Sequence, residues 1–155
     1  MSPAKKPSLR NFSLVGLSFL LFCLDVLGKY LALQGLFSHN KSDFFHLGFF
    51  ANRGVAFSLP VPLPLALIVT VLAIIIFSWL LMQDKHLNRP STVFLIPAIL
   101  GSLNNGLDRL IHNWTTDYLF ILNRLALNLS DLLVVGGIGL FLWYNYDSEH
   151  PRLGT

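Results

Sequence analysis

The feature that most constrains this chain is a series of long apolar stretches. A helix needs about 20 predominantly apolar residues to cross a bilayer, and the 155-residue sequence supplies about four such stretches. We expect the transmembrane helices at about residues 11–33, 62–82, 91–111 and 127–146. Because little of the chain is left for a soluble domain, residues 1–155 are predicted to form a single, mainly α-helical integral-membrane domain.

Charged residues are few and scattered. They make up 12% of the sequence, against about 25% in an average soluble domain. The formal charge of +3 could indicate nucleic-acid binding, but the 11 lysines and arginines do not cluster, so we expect no nucleic-acid partner.

The distribution of the basic residues predicts the orientation in the membrane. On the side of both termini lie Lys5, Lys6, Arg10, Lys85, Arg89 and Arg152. The loops of the other side carry Lys41, Arg53 and Arg124. Since lysine and arginine are enriched on the cytoplasmic side, we expect cytoplasmic termini and outer segments at about residues 34–60 and 112–126.

The first outer segment is predicted to form a small β-sheet on the outer membrane surface. Residues 34–60 are rich in phenylalanine and glycine and show no helical period. Aromatic rings at this density suit the headgroup level of a bilayer. Within the motif at residues 52–57, NRGVAF, the glycine permits a tight turn and Asn52 could hydrogen-bond a peptide backbone. A plain turn is the alternative interpretation.

Several ionisable residues interrupt the apolar stretches. Asp25 and Lys29 are four residues apart, so on a helix they share a face and can pair. The pair could fix helix packing or support a functional site. In the third stretch Asn105 lies four residues before Arg109, and we expect Arg109 to be the partner of Asp108.

Two further aspartates are the candidate catalytic pair. Asp117 lies in the second outer connection, and Asp131 lies about one turn inside the fourth helix, on the same face as Asn128. A carboxylate at bilayer depth costs roughly 2.5 to 3.5 kcal/mol, so such residues usually mark chemistry or transport.

Two neighbouring carboxylates do not easily ionise together, so one of them holds a proton. Such a pair suits peptide hydrolysis, because the charged member activates a water and the protonated member donates to the scissile carbonyl. We expect Asp131, near the positive end of a helix, to be charged and Asp117 to hold the proton.

Other chemistries explain the sequence less completely. The five histidines show no metal-ligand spacing. A hydrolase using Lys29 with Ser102 or Ser130 would leave the aspartates unexplained. A small ion- or proton-translocating membrane protein remains an alternative, although it would not need the aromatic outer segment.

Together the motifs resemble the lipoprotein signal peptidases (signal peptidase II), which are bacterial inner-membrane aspartyl proteases. The family's Asp-Gln-x-x-Lys, Asn-x-Gly-x-Ala-Phe, Gly-Asn-x-x-Asp-Arg, Val-Asp-Phe and Phe-Asn-x-Ala-Asp segments occur in order along essentially the whole chain. The matching residues are Asp25, Lys29, Asn52, Gly54, Ala56, Phe57, Gly101, Asn105, Asp108, Arg109, Asp117, Asn128 and Asp131.

The resemblance implies four transmembrane helices, a membrane-surface sheet and catalysis by Asp117 and Asp131, with the other matching residues in substrate-binding or supporting roles. It also implies a diacylglyceryl-modified prolipoprotein as substrate, cut just before its lipidated cysteine. No metal or organic cofactor is implied, and we expect a monomer in contact with membrane lipids.

The chain also departs from the family pattern. Val26 replaces the usual glutamine and Asn104 the glycine before Asn105, and the other departures are Thr116, Tyr118, Leu127 and Ser130. These changes surround the candidate pair without removing its carboxylates. A divergent, non-proteolytic paralogue is therefore a further alternative.

The orientation is testable by cysteine labelling. Asp43→Cys should react with a membrane-impermeant thiol reagent from the outer side, because residues 34–60 are expected outside. Reaction from the cytoplasmic side alone would invert the orientation and place the aspartates on the wrong face.

Overall fold

Four helices and three short strands make up the fold. The computed structural model describes residues 9–37, 44–54, 61–87, 90–122 and 124–149, so position 43 lies outside the described residues. The helices are α1 (Leu9–Leu33), α2 (Leu63–Leu87), α3 (Leu95–His112) and α4 (Leu129–Glu149). The strands are β1 (Phe45–Asn52), β2 (Thr115–Ile121) and β3 (Leu125–Leu127), and a short 3-10 helix, Pro90–Phe94, leads into α3.

Three of the described helices are long and apolar enough to cross a bilayer. The candidate spans are Phe12–Leu33, Leu63–Gln83 and Leu129–Asp147. Large apolar side chains on them, such as Ile75, Ile76 and Leu142, are more than half exposed in the isolated chain, as expected of lipid-facing residues. The prediction of a mainly helical membrane protein is confirmed.

The third helix has a different character. α3 buries a row of polar residues, among them Asn104, Asn105, Asp108 and Arg109, on the side that faces the other helices. Its exposed side chains, including Leu107 and Leu110, are apolar. This helix therefore presents polar groups to the interior of the protein and apolar groups to its surroundings.

The small sheet is antiparallel, with strand order β1-β2-β3. β1 comes from the first outer segment, where the sequence predicts a sheet, and it places Phe50 opposite Asp117. β2 and β3 come from the second outer connection, where no strands are predicted. The β2 sequence, TTDYLFI, is rich in β-branched and aromatic residues, which pack well in a sheet. Because Leu127 pairs with Leu119 in this sheet, α4 begins only at Leu129.

Two glycines allow α3 and α4 to pack closely. A β-carbon on Gly101 would lie 2.5 Å from the backbone oxygen of Ser130. A β-carbon on Gly137 would lie 2.8 Å from the backbone oxygen of Phe94 and 2.9 Å from the backbone nitrogen of Ala98. Backbone atoms cannot move aside easily, so even one methyl group at either position would separate the helices.

The packing predicts a difference between neighbouring glycines of α4. Gly137→Ala should lower the free energy of unfolding by about 1–3 kcal/mol, because the added methyl overfills a packed interface. Gly136→Ala and Gly139→Ala are matched controls, since a β-carbon at either position meets nothing within 4 Å. Thermal unfolding in detergent measures the difference. Equal stability of Gly137→Ala and the controls would contradict the observed packing.

Candidate active site

The structure brings the candidate pair together around one asparagine. Asp117 lies in the middle of β2 and is completely buried, and Asp131 lies in the first turn of α4. The side-chain amide nitrogen of Asn128 donates to Oδ1 of Asp117 over 2.6 Å. The side-chain oxygen of the same Asn128 accepts from the backbone N–H of Asp131 over 2.9 Å, and its own backbone N–H donates to Oδ2 of Asp131. This reciprocal arrangement is a capping box at the start of α4.

Two more asparagines complete the hydrogen bonding of the pair. Asn52, the last residue of β1, donates to Oδ2 of Asp117 over 2.8 Å. Asn105 of α3 donates to Oδ1 of Asp131 over 2.8 Å. Each of the four carboxylate oxygens thus accepts a hydrogen bond from an asparagine. A carboxylate oxygen has two lone pairs, so a proton can be added without breaking these bonds.

The electrostatic environment of Asp117 favours its protonated form. Burial, followed by the nearby negative charge of Asp131, raises the pKa of Asp117 to about 7. The hydrogen bonds from Asn52 and Asn128, and the positive charge of Lys29, act in the opposite direction but are weaker. Asp117 therefore holds a proton at pH values where an ordinary aspartate is ionised.

A buried ammonium group lies beside the pair. Nζ of Lys29 donates to the side-chain oxygen of Asn105 over 2.8 Å. It also lies 3.5 Å from Oδ2 of Asp25 and 3.3 Å from Oδ2 of Asp108. The pairing of Asp25 with Lys29 that the helical spacing predicts is confirmed. The contact with Asp108 was not predicted, and it gives Lys29 two carboxylate partners on two helices.

The expected pairing of Asp108 with Arg109 is wrong. Successive residues on a helix point about 100° apart, so the two side chains face different neighbours. Asp108 accepts hydrogen bonds from the backbone N–H and the hydroxyl of Thr116, and its Oδ1 lies 2.7 Å from Nδ1 of His112. Arg109 instead donates to the backbone oxygen of Gly54 over 3.3 Å and to the hydroxyl of Thr70 over 3.5 Å.

The motif around Asn52 supports the pair. The side-chain oxygen of Asn52 accepts from the backbone N–H of Gly54 over 2.9 Å, which closes a tight turn after β1. Asn52 thus bonds to both Asp117 and Gly54, and hydrogen bonding of its side chain to a peptide backbone stays a prediction. Ala56 and Phe57 lie outside the described residues. Gly101 permits the close approach of α3 to the start of α4.

Some residues that bond to the carboxylates around the pair are not among the site residues that the sequence predicts. Asn104, Tyr118 and Ser130 all donate to the carboxylate of Asp25. Thr116 donates to Asp108. The available signal was a polar side chain within or beside an apolar stretch, because such a group needs a buried partner.

An open cavity of about 560 Å³ lies beside Asn52. It is lined by Phe50, Ala51, Asn52, Arg53, Gly54, Val61 and Pro62. Asn52 lines this cavity and also donates to Asp117, so it links the cavity to one of the two candidate carboxylates.

Comparison with solved structures finds the same fold in known proteins. The fold matches a bacterial membrane enzyme with a TM-score of 0.74, at 17% identity and over 92% of this chain and 93% of that one. A second bacterial membrane enzyme structure matches with a TM-score of 0.68, at 17% identity and over 86% of this chain. The chain thus shares its fold with these two structures.

Sequence comparison identifies the family. Residues 17–146 match the family described as signal peptidase (SPase) II, and the chain belongs to this family. The lipoprotein signal peptidase of Halothermothrix orenii is 33% identical over 110 residues, which are 69% of this chain and 74% of that protein. The lipoprotein signal peptidase of Moorella thermoacetica is 28% identical over 137 residues, which are 82% of this chain and 88% of that protein. The predicted family is confirmed, and the chain is a bacterial membrane peptidase.

The environment of Asp117 predicts a titration near neutral pH. The infrared band of a protonated carboxyl group should disappear with a midpoint at about pH 7, and Asp117→Asn should remove this transition. Asp131→Asn should move the midpoint to lower pH, because it removes a negative charge that raises the pKa of Asp117. A midpoint that stays the same in Asp131→Asn would show that the two carboxylates do not interact.

Proposed function

We propose that this chain is an aspartyl endopeptidase that removes the signal peptide from diacylglyceryl-modified prolipoproteins, cutting before the lipidated cysteine. The single observation that carries the catalytic assignment is the joining of the buried Asp117 to Asp131 through Asn128. The lipoprotein signal peptidases among its relatives support the substrate class.

The two aspartates have different roles in the proposed reaction. Asp131 is the charged member, since it accepts a backbone N–H at the positive end of α4. It takes a proton from a water molecule as the water oxygen attacks the scissile carbonyl carbon. Asp117 gives its proton to the carbonyl oxygen, which forms a neutral tetrahedral intermediate. Asp131 then protonates the leaving amine while Asp117 recovers the hydroxyl proton, and the peptide bond breaks.

The surrounding polar residues support this proton exchange. Asn52, Asn105 and Asn128 hold the carboxylates in place with neutral donors. Lys29 is fixed by Asn105 and lies between Asp25 and Asp108, so its charge is compensated. Arg109 joins α3 to Gly54 and so holds the turn after Asn52. In this proposal none of these side chains exchanges a proton with the substrate.

The proposed substrate path passes through the cavity next to Asn52. Phe50, Val61 and Pro62 give it an apolar wall suited to the residues of a signal peptide, and Asn52 lies at its catalytic end. Ala56 and Phe57 belong to the motif that begins at Asn52, and the family resemblance implies substrate-binding or supporting roles for them.

The proposed membrane placement has four spans and one surface sheet in a single domain, 1–155. We assign α3 as the fourth span, because its outward side chains are apolar and its polar row faces the protein interior. Phe44, Phe45 and Phe49 are exposed on or beside the sheet, at 70%, 53% and 39%, which suits the bilayer surface. In this arrangement the chain is an inner-membrane monomer with cytoplasmic termini, and the pair lies toward the outer leaflet.

Cleavage of a lipidated prolipoprotein by the purified protein tests the proposal. Asp117→Asn and Asp131→Asn should each reduce turnover by at least about 10²–10⁴-fold, because each removes one partner of the proton exchange. The double variant should lose little more, since residues that act as a unit are not additive. Turnover should also fall as the pH rises through about 7, where Asp117 loses its proton.

Asp147→Asn is the matched control, because this aspartate is exposed and lies near the other end of α4. The Asp147→Asn variant should cleave the lipidated prolipoprotein at the wild-type rate. Substantial turnover by either single variant of the pair, in protein that is correctly inserted, would exclude the two-aspartate mechanism.

A further inference from the structure

Asp25 lies where α1 meets the two segments that carry the candidate pair. Its side chain is completely buried. Oδ1 accepts from the hydroxyl of Tyr118 over 2.9 Å and from the backbone N–H of Leu129 over 2.8 Å. Oδ2 accepts from Asn104 and from the hydroxyl of Ser130, both over 2.6 Å. These four hydrogen bonds occupy the approximately four lone-pair sites of an ionised carboxylate.

Two of the four donors to Asp25 are immediate neighbours of the pair. Tyr118 follows Asp117 in β2, and Ser130 precedes Asp131 at the start of α4. The buried carboxylate of Asp25 on α1 is therefore hydrogen-bonded to β2 and to the start of α4, in each case at a residue next to one of the two candidate aspartates. A shift of either segment relative to the other would break at least one of these hydrogen bonds.

The three side chains that donate to Asp25 stand at positions where the family pattern has residues without a side-chain donor. That pattern has glycine, phenylalanine and alanine where this chain has Asn104, Tyr118 and Ser130, and none of those three can donate from its side chain. The ring of Tyr118 packs directly on Gly28, where a β-carbon would lie 2.5 Å from it. Phenylalanine would fill the same space, so the hydroxyl group is the feature that distinguishes this chain.

We propose that Tyr118 is a positioning residue that acts through Asp25, together with Asn104 and Ser130, to fix Asp117 relative to Asp131. This inference rests on the proposed aspartyl peptidase function. Without the hydroxyl, one lone pair of the buried Asp25 carboxylate has no donor, and β2 loses its side-chain connection to α1 beside Asp117. Catalysis by a pair of carboxylates depends on their separation, so a looser β2 slows the chemical step.

The same loosening changes the titration of Asp117 in a defined direction. Its pKa is raised by burial and by Asp131 of α4, while the hydrogen bonds from Asn52 and Asn128 and the charge of Lys29 of α1 lower it less strongly. The guanidinium of Arg109 on α3 also interacts electrostatically with Asp117. Both raising effects depend on β2 staying packed against the start of α4. A looser β2 admits water and increases the distance to Asp131, so the pKa of Asp117 falls.

Tyr118→Phe tests the inference, with Tyr30→Phe as the matched control. Tyr30 is on α1 and 57% exposed, and it is no part of the site. Tyr118→Phe should lower kcat by about tenfold or more with KM within about twofold, because positioning affects the chemical step. The infrared midpoint of Asp117 should fall by about half a pH unit or more. Tyr30→Phe should match the wild type in all three measurements.

A double-variant cycle shows whether Tyr118 acts through Asp25. Ser130→Ala removes a donor to the other oxygen of the same carboxylate. If both residues act through Asp25, the loss of kcat in Tyr118→Phe/Ser130→Ala is smaller than the product of the two single losses. Losses that multiply would show that Tyr118 acts independently of Asp25, and that result would overturn the inference.

The two proposals fail in different ways. If the wild type does not cleave the lipidated prolipoprotein, the proposed function is wrong, and the infrared midpoint still tests the positioning. A midpoint unchanged in Tyr118→Phe overturns the positioning role whatever the substrate is. Normal cleavage by the wild type with unchanged kcat in Tyr118→Phe overturns the positioning role alone.

Discussion

The structure depends on the burial of the Lys29 ammonium between two carboxylates. Asp25 lies on the same helix and Asp108 on α3, so the three charges hold α1 to α3 at the depth of the candidate site. Removing one partner of a buried ion pair typically costs about 3–5 kcal/mol, because the remaining charge is uncompensated. The same residues also connect to the candidate pair by hydrogen bonds. Asp108 accepts from Thr116, the neighbour of Asp117, and Lys29 donates to Asn105, which donates to Asp131.

Neutral donors around the pair suit its proposed chemistry. A lysine or arginine in direct contact would favour the ionised form of both carboxylates. Asn52, Asn105 and Asn128 fix the positions of Asp117 and Asp131 without adding positive charge. The ammonium of Lys29 donates to Asn105, which in turn donates to Asp131. Rigid placement is thus combined with a raised pKa at Asp117, and an aspartate that holds a proton near neutral pH can act as a general acid.

The sequence predicts the local part of the site well and the long-range part poorly. The pairing of Asp25 with Lys29 follows from a four-residue spacing on one helix, and it is present. The expected pairing of Asp108 with Arg109 is wrong, because it assumes that residues adjacent in sequence are in contact. On a helix their side chains point to different sides. The strands β2 and β3 were missed, because a seven-residue and a three-residue strand have little pattern of their own without the partner strand β1.

The sequence by itself determined the apolar helices, the sheet-forming segment within residues 34–60, the buried ionisable residues and the family, because these follow from composition, short-range spacing and motif order. Only the tertiary structure decided which groups meet. Asp25 reaches Leu129 and Ser130 across more than 100 residues of chain, and Asn52 reaches Asp117 across 65. Such contacts arise from the packing of α3 on α4 through Gly101 and Gly137, and from the antiparallel register of β1 with β2. No local period in the sequence encodes either of them, because both depend on surfaces that form only when distant segments pack.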